Sequence, residues 1–372
     1  MSFSTAFDGG PEEKISAIFT KGSATLKLAV PKAKPWSPEN PFLHTLQFRF
    51  LNDDMIVRFG LRSLKAEGRE ILLNGKPLKL LGYNRHESHP QFGPALPFTQ
   101  LLADLQILRD LGCNFIRGCH YPQDQRFLDL CDELGFLVWE ETLGWQQKEK
   151  HFSSEAYKDA HRQMVREMIE VSFNHPCVIL WGFLNEGESH EPFAVDFYKE
   201  TAAQIRALDS TRLVTYASNH PLDDLCYDFA DVISHNIYPG WYGDMEVDDR
   251  LSLIRPRIKR CLEHLDKVGQ GTKPYILSEI GCEALYGWRD PMNGFFTEEF
   301  QAEYLRIVCE EVVANKRING LAIWHFADAR TYQGALAIGR PRTFNNKGTV
   351  DEYRRPKKSY EVVKGIFSRR TS

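Results

Sequence analysis

Hydrophobic and polar positions divide the chain into two textures. Up to about residue 75, short stretches alternate or run apolar, at 14–19, 24–30, 45–51 and 55–61. Turn signals such as Lys21-Gly22-Ser23 and Leu51-Asn52-Asp53-Asp54 separate them, so each reads as a β-strand. Pro35-Trp36-Ser37-Pro38-Glu39-Asn40-Pro41 is too rich in proline for a helix or a central strand. Asn74-Gly75 between apolar runs predicts a hairpin. From residue 78 the pattern becomes apolar strand, polar loop, amphipathic helix, repeated. Strands are expected at 78–83, 114–118, 136–139, 178–183, 213–216, 232–235, 275–278 and 321–324. Helical spacing falls at 99–111, 125–134, 156–173, 193–208, 251–265 and 298–315, with a last helix at 358–367. The weakest helical signal lies between the fifth and sixth strands.

Near-continuous apolar strands alternating with amphipathic helices imply a parallel sheet covered on its outer face. Eight such units predict an α/β fold, a closed (β/α)₈ TIM barrel. The alternative is a doubly wound open sheet, which would favour a glycine-rich phosphate loop after the first strand. Leu81-Gly82-Tyr83-Asn84-Arg85-His86 is not such a loop. The expected division is a flexible lead over 1–10, an antiparallel β module over 11–75 and the barrel over 76–372. The module is short for a complete sandwich.

Composition narrows the function. Of 372 residues, 42% are hydrophobic and 12% aromatic, which excludes a disordered chain. Forty-six basic against 50 acidic residues argue against a general nucleic-acid binder. No apolar run approaches the roughly 18 residues of a membrane helix. The first residues have neither the basic nor the apolar region of a signal peptide. Eight cysteines without a Cys-x-x-Cys pair read as buried free thiols and suggest a reducing cytoplasm. A longer, exported parent chain is the alternative.

In such a barrel the functional side chains stand at the C-terminal strand ends. Here those ends read Asn84-Arg85-His86-Glu87, Arg117-Gly118-Cys119-His120-Tyr121, Trp139-Glu140-Glu141, Asn185-Glu186, His235-Asn236-Ile237-Tyr238, Ser278-Glu279 and Trp324-His325-Phe326-Ala327-Asp328. Carboxylates, amides and flat aromatic faces together suit a sugar ring, which needs hydroxyl partners and an apolar platform. Glu186 and Glu279 are the candidate catalytic pair for glycoside hydrolysis. Glu140 and Glu141 read as ion-pair partners. His86-Glu87-Ser88-His89 is not His-Glu-x-x-His, and neither a metal site nor a cofactor is expected.

Asn84-Arg85-His86-Glu87, Arg117-Gly118-Cys119-His120-Tyr121-Pro122, Asn174-His175-Pro176, Asn185-Glu186 and Ser278-Glu279-Ile280-Gly281 resemble glycoside hydrolase family 2. That family holds β-galactosidases, β-glucuronidases and β-mannosidases. The resemblance runs from about Trp36 to Phe367. It implies retaining exo-hydrolysis of terminal β-linked sugars, with Glu186 as acid/base and Glu279 as nucleophile. It also implies that the β module is a partial immunoglobulin-like sandwich and that the family's jelly-roll domain before it is lacking. His86 and His120 look like the family's sugar-binding histidines. Asn185 is placed to bind the 2-hydroxyl, Tyr238 to orient Glu279, and Trp324 to floor the sugar. Magnesium-using members carry a Glu-x-His after the third strand; here Trp145-Gln146-Gln147 stands there.

Two further stretches bear on the sugar. Asn345-x-Lys347-Gly348 resembles the Asn-x-Lys by which β-glucuronidases hold the sugar carboxylate, and Asn236-Ile237-Tyr238-Pro239-Gly240-Trp241-Tyr242 resembles their Asn-x-Tyr-x-Gly-Trp-Tyr loop. Lys347 would supply charge, Asn345 an amide, and Arg340 or Arg342 a bidentate fork. Asn236 and Tyr242 join the candidate set. The expected substrate is a β-D-glucuronide, with a β-galactoside as runner-up and a galacturonide admitted by the long stretch 340–344. A catalytically inactive carbohydrate-binding fragment is the alternative of another class. The partner expected is a carbohydrate, not nucleic acid or membrane. Apolar Leu26, Leu28, Leu46 and Phe48 in the β module call for a cover, from the barrel or from a second chain in a homo-oligomer.

Overall fold

A computed structural model describes residues 2–371 other than Pro31, Met245 and Gln333. The chain opens with β1 (Ser2–Phe7), β2 (Glu13–Ser16), β3 (His44–Phe50) and β4 (Asp53–Phe59), an antiparallel sheet in the order β2-β1-β3-β4. The expected flexible lead is therefore corrected. Ser4 to Phe7 pair with Arg49 to Leu46, and Phe3 and Phe7 meet Phe48 and Phe59 across the sheet. The strand expected at 24–30 does not form, and most of that stretch is exposed. Leu26 is exposed, and Leu46 and Phe48 are only half-buried, so the sheet leaves apolar surface open. A second small sheet follows: β5 (Leu64–Glu67), β6 (Glu70–Leu73) and β7 (Lys76–Pro77), the last two joined at Asn74-Gly75 as the turn signal predicts.

The eight barrel strands are β8 (Leu80–Arg85), β9 (Phe115–Gly118), β10 (Leu137–Glu141), β11 (Val178–Asn185), β12 (Leu213–Ser218), β13 (Ile233–Asn236), β14 (Tyr275–Ile280) and β15 (Gly320–Ile323). They pair in parallel and in chain order, and β15 closes on β8. Every residue of these strands is buried, as expected for a sheet covered by helices outside and packed within. Closure leaves no room at Gly82, where a Cβ would lie 1.6 Å from the Phe115 carbonyl oxygen.

Around the barrel run α1 (Phe98–Asp110), α2 (Gln125–Leu134), α3 (Glu149–Phe152), α4 (Glu155–Ser172), α5 (Val195–Leu208), α6 (Ile254–Lys267), α7 (Glu298–Ala314), α8 (Gly334–Gly339) and α9 (Lys358–Phe367). Side-chain caps set the starts of α2, α4 and α7: Asp124 accepts from the Arg126 amide, Ser154 from Tyr157 and Thr297 from Phe300. Between β12 and β13 only a 3₁₀ turn, Tyr227–Phe229, replaces the helix, where the helical signal is weakest.

Trp36 clips the amino-terminal region to the barrel floor. It is fully buried, its Nε1 donates to the Asp132 carbonyl at 2.9 Å, and Asn74 Nδ2 donates to the Trp36 carbonyl at 2.9 Å. Arg62 reaches the floor beside it, donating to the Pro176 and Val178 carbonyls at 2.7 and 2.6 Å. Trp36→Ala is expected to lower stability by about 3–5 kcal/mol, the cost of emptying an aromatic core site. Urea unfolding checks this; an unchanged midpoint would mean the junction contributes nothing.

Candidate active site

The polar strand ends surround one cavity of about 1210 Å³ at the C-terminal mouth of the barrel. Glu186, Glu279, His86, His120, Asn236, Tyr238, Tyr242, Trp324, Arg340 and Asn345 all line it. Asn185 and Lys347 are buried behind that lining.

Glu279, near the end of β14, is almost completely buried. Each oxygen has a donor: Arg117 Nη1 at 2.9 Å on Oε1 and the Tyr238 hydroxyl at 2.6 Å on Oε2. Burial and the charge of Glu186 push its pKa up, while Arg117, His120 and Tyr238 pull it down. Tyr238 is partly buried, and burial beside Glu279 raises its pKa and holds it as a neutral phenol that donates.

Glu186 follows the last residue of β11 and is half-buried. Its Oε1 accepts from Asn236 Nδ2 at 3.0 Å and its Oε2 from Gln146 Nε2 at 3.1 Å. Its φ is +51°, a left-handed conformation uncommon outside glycine and costing of order 1 kcal/mol or more. The turn aims the carboxylate into the cavity instead of along the strand.

The aromatic side of the site is built from β8, β9 and β15. The His120 ring stacks on Trp324 at 5.4 Å, while His86 meets Trp324 edge-on at 5.4 Å. His120 Nδ1 lies 2.6 Å from Glu141 Oε1, leaving Nε2 toward Glu279 at 3.9 Å. Burial, then the neighbouring charges of His120 and Arg117, push His86 down to about 3, so its ring is neutral at ordinary pH. Asn185 Oδ1 accepts from Arg117 Nη2 at 2.7 Å and Asn236 Nδ2 at 3.0 Å; its buried Nδ2 has no partner among the described residues.

The remaining candidates form a cationic wall. Lys347 Nζ lies 3.1 Å from Glu283 Oε1 and donates to the Tyr242 hydroxyl at 2.7 Å. Arg340 Nε stands 3.6 Å from the same Glu283 oxygen, and its Nη2 reaches the Tyr242 hydroxyl at 3.3 Å. Arg342 does not join: it pairs with Glu352. Asn345 is held by the short β-bridge to Ala329.

Sequence reasoning left out three residues. Arg117 ties Glu279, Glu141, Asn84 and Asn185 together; its strand-end position was the available signal. Gln146 holds Glu186 from a loop, and Glu283, four residues after Glu279, faces Lys347; neither carries a local pattern. Glu141 is an ion-pair partner of Arg117, whereas Glu140 makes no ion pair among the described residues, and burial pushes its pKa up to about 7. Among the described residues two groups bring three possible metal donors within 4.8 Å: His86, Cys119 and His120, and Asp132, His175 and Cys177. In both, a histidine is already tied to a carboxylate. All eight cysteines are free and buried, and no helix among the described residues is long and apolar enough to cross a membrane.

Comparison with known proteins shows the family to which this fold belongs. Residues 64–370 match "Glycosyl hydrolases family 2, TIM barrel domain", and residues 5–62 match "Glycosyl hydrolases family 2". The chain belongs to this family. It is 32% identical over 358 residues to a β-glucuronidase of Mus musculus, covering 92% of this chain and 54% of that protein. A GH2 β-galacturonidase from Eisenbergiella tayi, solved with galacturonate, superimposes with a TM-score of 0.88 at 37% identity, over 99% of this chain and 66% of that one. A β-D-glucuronidase of Dictyoglomus thermophilum does so with 0.86 at 29% identity, over 99% and 64%. The chain spans about half the length of the curated relatives it matches.

Because Glu279 has a raised pKa, its ionised form is disfavoured in the folded chain relative to the unfolded one. Stability from this group is greatest below the unfolded value, roughly 4.3, and falls as pH rises through the folded value. Glu279→Gln, an isosteric neutral group, is therefore expected to raise Tm at pH 7 and to lose that advantage near pH 4. Calorimetry across this range checks the sign.

Proposed function

We propose that the chain carries the catalytic barrel of a retaining exo-β-uronidase. The observation that carries the reading is the charge balance of the wall opposite the glutamates. Arg340 and Lys347 bring two positive charges against the single carboxylate of Glu283. One substrate carboxylate would complete the balance, with Asn345 as a neutral donor. A neutral β-galactoside would leave one cation uncompensated, so it fits less well.

In the proposed reaction Glu279 attacks the anomeric carbon and forms the covalent glycosyl-enzyme. As the bond to the leaving oxygen breaks, Glu186 gives that oxygen its proton. Glu186 then takes a proton from water, which attacks the same carbon and releases the sugar and Glu279. Arg117 and Tyr238 fix the two oxygens of Glu279 before attack. The Asn185 Nδ2, without a partner among the described residues, is suited to the 2-hydroxyl, and neutral His86 and the Nε2 of His120 to other hydroxyls. Trp324 offers the ring an apolar face.

β-D-glucuronides are the first substrates to test, and the β-glucuronidase relatives support that choice. β-Galacturonides are the second, favoured by the similarity to the Eisenbergiella tayi enzyme and by the guanidinium of Arg340 on the cavity wall. A panel of aryl β-glucuronide, β-galacturonide and β-galactoside tests both; saturable uronate binding with no turnover would instead make the chain a binding module.

Two outcomes are expected. A 2-fluoro uronosyl inactivator should label the wild-type chain at Glu279, and the adduct should be absent from Glu279→Gln by mass spectrometry; labelling that persists would overturn the assignment of the nucleophile. Lys347→Gln keeps a donor toward Tyr242 and Glu283 but removes the charge. It should lower kcat/KM for the preferred aryl uronide by about 30- to 1,000-fold, the usual loss of a charge-assisted contact. Turnover of an aryl β-galactoside should change little.

A further inference from the structure

Between β12 and β13, where a 3₁₀ turn takes the place of a helix, the connecting segment contributes Asn219, Pro221 and Leu222 to the cavity lining. The cavity lined by Glu186 is lined also by Asn219, Pro221, Leu222 and Pro239 and by Arg257 and Arg260 on α6, which together form an arm of it. This arm is apolar along its sides and basic at its end, and no carboxylate from residues 219–261 lines it. The other arginines of α6 and Lys259 have carboxylate partners: Arg255 has Glu310 and Glu311, Arg257 has Asp244 at 2.9 Å, and Lys259 has Glu263 at 3.5 Å. Among the described residues no carboxylate lies within 4.0 Å of Arg260.

We propose that this arm receives the aglycone of an acidic oligosaccharide, with the Arg260 guanidinium pairing a carboxylate on a sugar beyond the leaving group. The proposal rests on the uronidase reading and names its substrate class. Three features support it. The arm opens beside Glu186, the group assigned to protonate the leaving oxygen, so it lies on the aglycone side. Its apolar walls suit the C–H faces of sugar rings. A planar guanidinium with no carboxylate within 4.0 Å among the described residues is matched to a carboxylate, which it binds bidentately. A neutral aglycone would gain only the apolar part.

The test uses a trisaccharide with a terminal β-linked uronate and a second uronate as its third sugar. Its counterpart has that third carboxylate reduced to the alcohol, and a 4-nitrophenyl β-uronide serves as the neutral-aglycone control. At low salt the acidic trisaccharide should have a kcat/KM roughly tenfold above its reduced counterpart. The advantage should shrink as salt is raised to about 0.3 M, where screening is short-ranged. Arg260→Ala should remove the advantage and leave the 4-nitrophenyl substrate within about twofold, as expected for a side chain away from the reacting bond. Arg260→Lys should restore part of it. Calorimetric binding of thio-linked versions of the two trisaccharides should show the same ranking without turnover. Equal affinities for the two in wild-type protein, or an Arg260→Ala loss shared by the 4-nitrophenyl uronide, would overturn the proposal. Preferential binding of the acidic thio-trisaccharide with no turnover of any substrate would uphold the arm and sink the hydrolase reading alone.

Discussion

A single buried guanidinium organises the mouth of the barrel. Arg117 rises from β9 into the centre of the site, completely out of solvent, and donates to Glu279, Glu141, Asn84 and Asn185. Burial opposes its charge, but the adjacent carboxylates of Glu141 and Glu279 raise its pKa above the ordinary arginine value. Its neighbours come from five different strands once Asn236, bonded to Asn185, is included. Removing Arg117 would leave the buried Glu141 and Glu279 without their cation, a loss that typically costs about 3–5 kcal/mol. The site's geometry therefore depends on strands far apart in sequence being held in register by the apolar barrel beneath.

That dependence explains what the sequence could and could not convey. The eight barrel strands were legible because parallel strands buried on both faces are nearly continuous apolar runs. Their C-terminal ends were not. The apolar runs stop at 83, 139, 183 and 278, whereas the strands continue through Asn84-Arg85, Glu140-Glu141, Leu184-Asn185 and Glu279-Ile280. Polar residues there read as loop because the sequence shows polarity, not the neighbours that pair with it. Residues at a strand end could be listed as candidates, but Arg117 as the tie, Gln146 behind Glu186 and Glu283 behind Lys347 are relations between distant segments. The amino-terminal region failed differently. Ser2–Phe7 carries alternating Phe3, Thr5 and Phe7, a strand pattern overlooked at a chain start. Residues 24–30 have strand-like composition but no partner strand among the described residues, and an isolated run has nothing to satisfy its backbone.

The two ends of the site handle charge in opposite ways. At Glu279 the folded chain holds a carboxylate that burial and Glu186 destabilise, with Arg117 and Tyr238 offsetting only part of that cost. At Glu283 the carboxylate lies between Lys347 and Arg340, and the surplus is positive. A uronate spanning both ends would place its carboxylate on the surplus and its anomeric carbon against the destabilised oxygen. Ground-state attraction then falls on a part of the sugar that does not react, and reactivity stays with the glutamate.

Strain and fold stability meet at Glu186. A glutamate in the left-handed region is less stable than a glycine would be, and a glycine does follow it at 187. Yet the strain is carried by the residue whose carboxylate enters the cavity. The conformation persists because its surroundings over-determine it. The Glu186 amide donates to the Ala217 carbonyl at 2.8 Å on the neighbouring strand, while Asn236 and Gln146 hold the side chain. Replacing the turn by a relaxed strand end would point this carboxylate away from Glu279 and separate the pair. The barrel thus tolerates an unfavourable backbone and an unfavourable charge at the same mouth, supported from below by eight uniformly buried strands.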